Sequence, residues 1–219
     1  MLVKGARTFK PRRRRLSERR QMSFDRLQPL WSLAEVGEPL SLTDVFGADV
    51  KLCVEIGSGN GGLASSFART HPTIGLVSID VHRPGIARML DDIEEWSLTN
   101  LRVVEGDALL FLKRLADQSI DELWVFFPDP WPKNSQSHRR LVTDERIGEL
   151  ARVIKPGGAL RLATDVVAYA EQMRKVAVSS GLFTDVYGDR PGWRVETAFE
   201  SAGLAAGRQT IDLCCVRGQ

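Results

Sequence analysis

Cysteine is scarce. The 219 residues contain three, Cys53, Cys214 and Cys215, all in apolar, strand-like stretches and none at the spacing of a metal site. They read as buried, reduced thiols of a cytoplasmic protein. Cys214 and Cys215, as neighbours on a strand, point to opposite faces, which argues against a bond between them. Long apolar runs are also missing: none approaches the roughly 20 residues of a membrane span, so no transmembrane helix is expected. The basic N-terminus is not followed by an apolar stretch, which argues against a secretory signal. No internal repeat is visible. What remains is ordinary for a globular chain, 43% hydrophobic and 26% charged, and the length suits one domain with an extension.

The net charge of +2 conceals an asymmetry. Residues 1–26 hold ten Lys/Arg, among them Arg12, Arg13, Arg14 and Arg15, against Glu18 and Asp25, a net of +8 that leaves −6 for residues 27–219. A basic arm on a mildly acidic body suits a polyanion partner, because phosphate contacts release counterions. A solvated tail would look the same. The expected organisation is a flexible arm, 1–26, and one domain, 27–219.

Beyond the arm, strand and helix patterns alternate. Apolar runs predict strands at 51–56, 74–80, 101–104, 121–127, 159–163 and 210–216. Helices are expected from the glycine turn to about Thr70, from Pro84 toward Trp96, and over 108–115, 143–154 and 166–179. Residues 181–207 have weak periodicity and read as a mixed, loop-rich return. Such alternation predicts an α/β domain, a doubly wound, mostly parallel sheet with helices on both faces.

The first strand ends in Val54-Glu55-Ile56-Gly57-Ser58-Gly59-Asn60-Gly61-Gly62. Glycines there let backbone approach a ligand and free the N–H groups of the next helix. Alone the turn is a weak signal, because dehydrogenases use a similar one. Glu55, two residues before it, suits a cationic group better than a pyrophosphate. Asp80 closes the second strand, where acids accept from ribose hydroxyls. Asp107 follows the third and could read an adenine amino group. Each acid might merely cap a helix, but three on successive strand ends favour S-adenosylmethionine, a cationic nucleoside without phosphates, over a nicotinamide cofactor. No metal is expected.

The fourth strand runs into Pro128-Asp129-Pro130-Trp131-Pro132-Lys133. Proline fixes φ and removes a donor, so this segment continues neither as helix nor as central strand. A carboxylate, an indole and an ammonium are thus held on a stiff loop at the carboxyl end of a strand, where open α/β sheets bind ligands. Trp131 reads better as packing than as base stacking, and Trp193 is ambiguous.

These blocks resemble the bacterial tRNA (guanine-N7)-methyltransferases. Pro128 to Lys133 looks like that family's signature. Val54-Glu55-Ile56-Gly57-x-Gly59, Asp80-Val81-His82-x-Pro84-Gly85, Gly157-Gly158, Ala163-Thr164-Asp165 and Thr197-x-Phe199-Glu200 follow the family order, and Arg7-Thr8-Phe9 resembles its lead-in. The resemblance covers nearly the whole chain. It implies a Rossmann-like class I methyltransferase that moves a methyl from S-adenosylmethionine to N7 of guanosine, typically at position 46 in the tRNA variable loop. It also implies donor contacts at Glu55, Gly57, Gly59, Asp80, Asp107 and Asp129, with Asp129 catalytic. Substrate contacts are implied at Lys133, Asp165, Thr197, Ala198, Phe199 and Glu200. His138, Arg139, Arg140 and the arm's Arg12 to Arg15 are candidate RNA contacts. The stretch after the signature, Asn134-Ser135-Gln136-Ser137-His138, is less basic than the family's usual one.

Other readings attach to the same residues. Thr197-x-x-Glu200 fits a helix capping box, Asp165 could cap the following helix, and His82 has no assigned role. Whole-chain alternatives are a methyltransferase for another acceptor such as an exocyclic amine, a tRNA-binding protein without turnover, and a nicotinamide dehydrogenase.

Overall fold

A computed structural model describes Thr8, Phe9 and residues 15–219. The chain enters through α1 (Glu18–Trp31) and a short α2 (Leu42–Phe46), then alternates β1 (Lys51–Ile56), α3 (Gly62–Thr70), β2 (Ile74–Asp80), α4 (Arg83–Glu95), β3 (Leu101–Glu105) and α5 (Ala108–Leu112). The second half holds β4 (Ile120–Phe126), a 3₁₀ turn at Asn134–Arg139, α6 (Ile147–Arg152), β5 (Ile154–Thr164), α7 (Val167–Ser179), β6 (Phe183–Tyr187), α8 (Ala198–Ala205) and β7 (Ile211–Arg217).

The seven strands form one sheet in the order β3-β2-β1-β4-β5-β7-β6. The first five pair in parallel and β7 is antiparallel to both neighbours. The apolar stretches 52–54 of β1 and 123–126 of β4 do not alternate with polar residues, because both faces of the sheet are covered. One face packs Leu52, Val54, Leu123, Val125 and Leu160 under α5, α6 and α7. The other packs Cys53, Leu76, Val103, Trp124 and Ala163 under α1, α3 and α4. The three thiols are free and buried.

The expected architecture is present, with local differences. The helix expected from Thr143 begins at Ile147, because residues 143–146 turn before it. The helix expected over 108–115 ends at Leu112. The loop-rich return contains an edge strand, β6, and a helix, α8.

α1 runs through residue 26, so the division expected there falls inside a helix. Its Phe24 and Leu27 are buried, each worth roughly 1.5–3 kcal/mol. Arg20 pairs with Asp91 at 3.4 Å and Arg26 with Glu94, both on α4. Two of the arm's arginines are therefore engaged in surface ion pairs with α4. Arg15 is exposed where the chain enters α1, whereas Arg12, Arg13 and Arg14 lie outside the described residues. Among the described residues no helix is long and apolar enough to cross a membrane.

Candidate active site

The strand order reverses between β1 and β4: the chain winds outward through β2 and β3, then returns to the other side of β1 as β4. Helices leave on opposite faces there, and a crevice opens at the carboxyl ends. The glycine turn after β1 and the proline loop after β4 both lie at this point.

On the β1 side, Gly57, Gly59 and Gly61 have φ of 85°, 58° and 79°, the left-handed region. Among the described residues, nothing lies within 4 Å of where a Cβ on Gly57 or Gly59 would stand, so the turn presents bare backbone. A Cβ on Gly85 would strike the Gly59 carbonyl, so that glycine lets α4 close on the turn. Glu55 faces Ser78 across the β1–β2 register and accepts from its hydroxyl at 2.8 Å. Burial pushes the Glu55 carboxyl up to about 7, with the Asp80 charge adding and the Ser78 hydrogen bond opposing. The Ser58 hydroxyl, in the turn that follows, is buried and has no hydrogen-bond partner among the described residues.

Asp80 accepts from the Gly59 N–H at 2.6 Å and from the His82 N–H at 2.7 Å. Burial raises its pKa against those two bonds. His82 thus has a local role after all: its backbone holds Asp80, and its Nδ1 lies 2.9 Å from the Gly59 carbonyl. Asp107 caps α5 by accepting from the Leu109 N–H at 2.9 Å. Its own N–H donates to Glu35, whose carboxylate fills the space beside Gly106.

A buried carboxylate whose pKa is raised, a buried hydroxyl, two acids with lone pairs to spare and an open glycine turn fit a cationic nucleoside. The residues present therefore fit S-adenosylmethionine.

On the β4 side, the loop is bracketed by two left-handed residues, Phe127 (φ 52°) and Trp131 (φ 41°). Such conformations are costly for bulky residues and cluster at functional sites. Asp129 lies half-buried between them. Trp131 is 4% exposed; its indole N–H donates to the Thr8 carbonyl at 3.1 Å, and the Arg139 guanidinium stands 3.8 Å from its ring centroid. Packing is thus its role. Lys133 and His138 are exposed.

On the β5 side, Asp165 accepts from Arg208 at 2.7 Å instead of capping α7. Thr197 caps α8 by accepting from the Glu200 N–H at 3.2 Å. The capping box stops there, because the Glu200 carboxylate turns inward. Its side chain is 0% exposed and gripped by Arg194 through bonds of 3.0 and 3.1 Å, with Arg190 as a second partner. Burial alone would raise its pKa; the two arginines outweigh that and hold it below the usual range. Arg194 also reaches Asp212 at 2.9 Å and lies over the Phe126 and Phe127 rings. Phe199, 55% exposed, meets Phe127 with ring centroids 5.3 Å apart. Trp193 packs into an aromatic cluster with Phe67 and Trp124.

Sequence reasoning missed Glu35, Arg194 and Arg208. Only Arg194 carried a signal, its place beside Trp193 and the Thr-x-x-Glu block, and that signal does not distinguish a buried arginine from a surface one.

Residues 49–213 match the family model described as "Putative methyltransferase". A tRNA (guanine-N(7)-)-methyltransferase of Streptomyces avermitilis is 39% identical over 97% of this chain and 76% of its own length. One of Nitrosomonas europaea is 36% identical over 92% of each. The chain belongs to the tRNA (guanine-N7)-methyltransferase family. Among solved structures, the 16S rRNA methyltransferase KamB superposes with a TM-score of 0.60 at 16% identity, over 84% of this chain and 96% of that one. An antibiotic-related methyltransferase gives 0.57 at 19% identity, over 84% and 97%. At those identities the likeness concerns the fold, the Rossmann-like class I architecture of S-adenosylmethionine-dependent methyltransferases. The proline loop after β4 and the glycine turn after β1 stand side by side at the strand-order reversal.

Proposed function

We propose that this chain, acting in the cytoplasm, transfers a methyl group from S-adenosylmethionine to N7 of guanosine in the variable loop of tRNA, at position 46. The observation that carries the reading is the placement of Asp129. A carboxylate on a loop fixed by three prolines and two left-handed residues stands at the strand-order reversal, beside the glycine turn. The relatives' shared name supplies the acceptor.

When bound, S-adenosylmethionine supplies an electrophilic methyl on a sulfonium. Glu55, Gly57, Gly59, Asp80 and Asp107 hold it, the first through charge and the glycines by leaving backbone accessible. Guanine N7 carries a free lone pair, so no base is needed. Asp129 orients the ring and stabilises the positive charge that develops on it. Asp165 accepts from the guanine N1–H and amino group. Thr197 to Glu200 form the acceptor-side wall: Phe199 offers an exposed ring for stacking, and Glu200 anchors the helix that presents it. Lys133, His138, Arg139 and the arm, Arg12 to Arg15 included, meet phosphates.

The test is incubation with unmodified tRNA transcript and labelled donor, followed by mapping of the methylated nucleoside. The expected product is 7-methylguanosine at one variable-loop position. Label on adenine or cytosine, or no incorporation, would refute the assignment.

A further inference from the structure

Arg140 follows Arg139 after a stretch poor in fixed charge, where phosphate binding is the obvious use for both. The geometry points to a different role: we infer that Arg140 is a positioning residue that clamps the Asp129 loop against α7, and that it is not a phosphate contact. The inference rests on the proposed methyl transfer only for what the loop is positioned to do.

All three guanidinium nitrogens are engaged within the protein. Nε donates to the Pro130 carbonyl at 2.7 Å, Nη2 to the Trp131 carbonyl at 3.3 Å, and Nη1 to the Gln172 side chain on α7. The planar fork therefore reaches two successive carbonyls, of the residues directly after Asp129, from one side and a helix from the other. Gln172 is itself fixed by donating to the Val142 carbonyl at 3.2 Å, and the Tyr169 ring lies 5.2 Å beneath the guanidinium. The backbone of Arg140 is held as well: its N–H donates to the Ser137 carbonyl at 2.9 Å, and its carbonyl accepts from Arg146 at 3.0 Å.

The loop needs such a brace. Pro128, Pro130 and Pro132 have no N–H, so the segment cannot close a ladder of its own bonds. Left-handed Trp131 persists only if its surroundings over-determine it. Its carbonyl and that of Pro130 both accept from Arg140, which ties two successive peptide groups of the loop to one rigid plane. A lysine could replace the charge but not the fork, since an ammonium lacks the planar geometry that spans two carbonyls and an amide together.

That difference makes the test. Arg140→Lys, Arg140→Gln and Gln172→Leu are compared with the wild-type full chain for kcat, for tRNA affinity across salt, and for the indole ¹H–¹⁵N signal of Trp131, assigned with Trp131→Phe. If Arg140 is a clamp, both arginine variants lower kcat by about 100-fold, the cost of roughly 1 Å of misplacement. They also shift or broaden the Trp131 signal, Gln172→Leu does so more weakly, and the salt slope of tRNA binding stays at the wild-type value. The opposite pattern overturns the inference: Arg140→Lys behaving as wild type, while Arg140→Gln leaves the Trp131 signal in place and lowers the salt slope by about 0.7–0.9, the equivalent of one phosphate. Should the wild-type chain methylate no tRNA, the proposed function fails, and the Trp131 signal still decides whether Arg140 holds the loop.

Discussion

Arg194 and Glu200 form a bidentate ion pair in which both side chains are 0% exposed. The pair joins the segment before α8 to the helix itself, and Arg194 extends it to Asp212 on β7 and to the faces of Phe126 and Phe127. One buried guanidinium thus links the acceptor-side wall to the strand end from which the Asp129 loop departs.

Breaking that pair from one side leaves a buried charge with only its second partner, Arg190 for Glu200 or Asp212 for Arg194, so the cost approaches but stays below the roughly 3–5 kcal/mol of a fully uncompensated buried charge. Arg194→Met is therefore expected to lower the urea midpoint by a large fraction of total stability, and Glu200→Gln to act in the same direction. The folded pKa of Glu200 is lowered, so the folded state binds fewer protons. Its stabilisation is present above the ordinary carboxylate range, near about 4.3, and is lost as pH falls through the depressed value. Urea unfolding from about pH 3 to 6, a window that brackets that range, checks this: wild-type stability should rise with pH more steeply than that of Glu200→Gln.

Glu55 behaves in the opposite sense. Its carboxyl is raised to about 7 by burial, so the folded state holds more protons than the unfolded one between about 4.3 and 7. Its contribution to stability is present below that window and is lost as pH rises through it. A cationic donor favours the ionised form. Donor affinity should therefore increase from about pH 6 to 8, across the raised value, with proton release measurable by calorimetry in buffers of different ionisation enthalpy. Glu55→Gln should weaken donor binding, flatten its pH dependence and raise the melting temperature at about pH 8, where the wild-type carboxylate is charged and buried.

Asp129→Asn keeps the size of the side chain but removes the charge and replaces one acceptor oxygen by a donor. Folding and donor binding are expected to stay as in the wild type while kcat falls on the order of 100-fold. Full turnover with normal donor affinity would eliminate the electrostatic role assigned to Asp129.

A chain beginning at Arg15 lacks Lys4, Arg7, Lys10, Arg12, Arg13 and Arg14 but retains α1. Filter binding across salt should show lower tRNA affinity and a slope reduced by about 0.7–0.9 for each phosphate that the arm neutralises. The truncation also removes the Thr8 carbonyl that accepts from Trp131, so kcat should decrease too. Unchanged affinity and slope would remove the arm from the RNA interface.

The outline of this fold was legible wherever burial decides local structure. β1 and β2 lie at the expected residues because each is an apolar run bounded by polar or turn residues. β6 was not legible: Phe183-Thr184-Asp185-Val186-Tyr187 is a short edge strand, and its antiparallel partner, β7, follows only after the whole of α8. In the site, Glu55, Asp80 and Asp129 stand where strand ends and prolines predict. The arginines do not follow from local pattern. A guanidinium is read as solvated charge until its partners are known, and those of Arg194 and Arg208 are set by how the return segment packs on β5 and β7. The sequence allows Asp107 both a cap and a donor contact; the cap is present, and its second oxygen leaves the other use available.

One atom of the acceptor, guanine N7, decides the assignment. Transcripts of one tRNA carrying guanosine or 7-deazaguanosine at position 46, identical except for nitrogen or carbon at that ring position, are incubated with the protein and labelled S-adenosylmethionine. Transfer to N7 predicts incorporation into the first transcript and none into the second, with both bound equally well. Equal labelling of the two would contradict it.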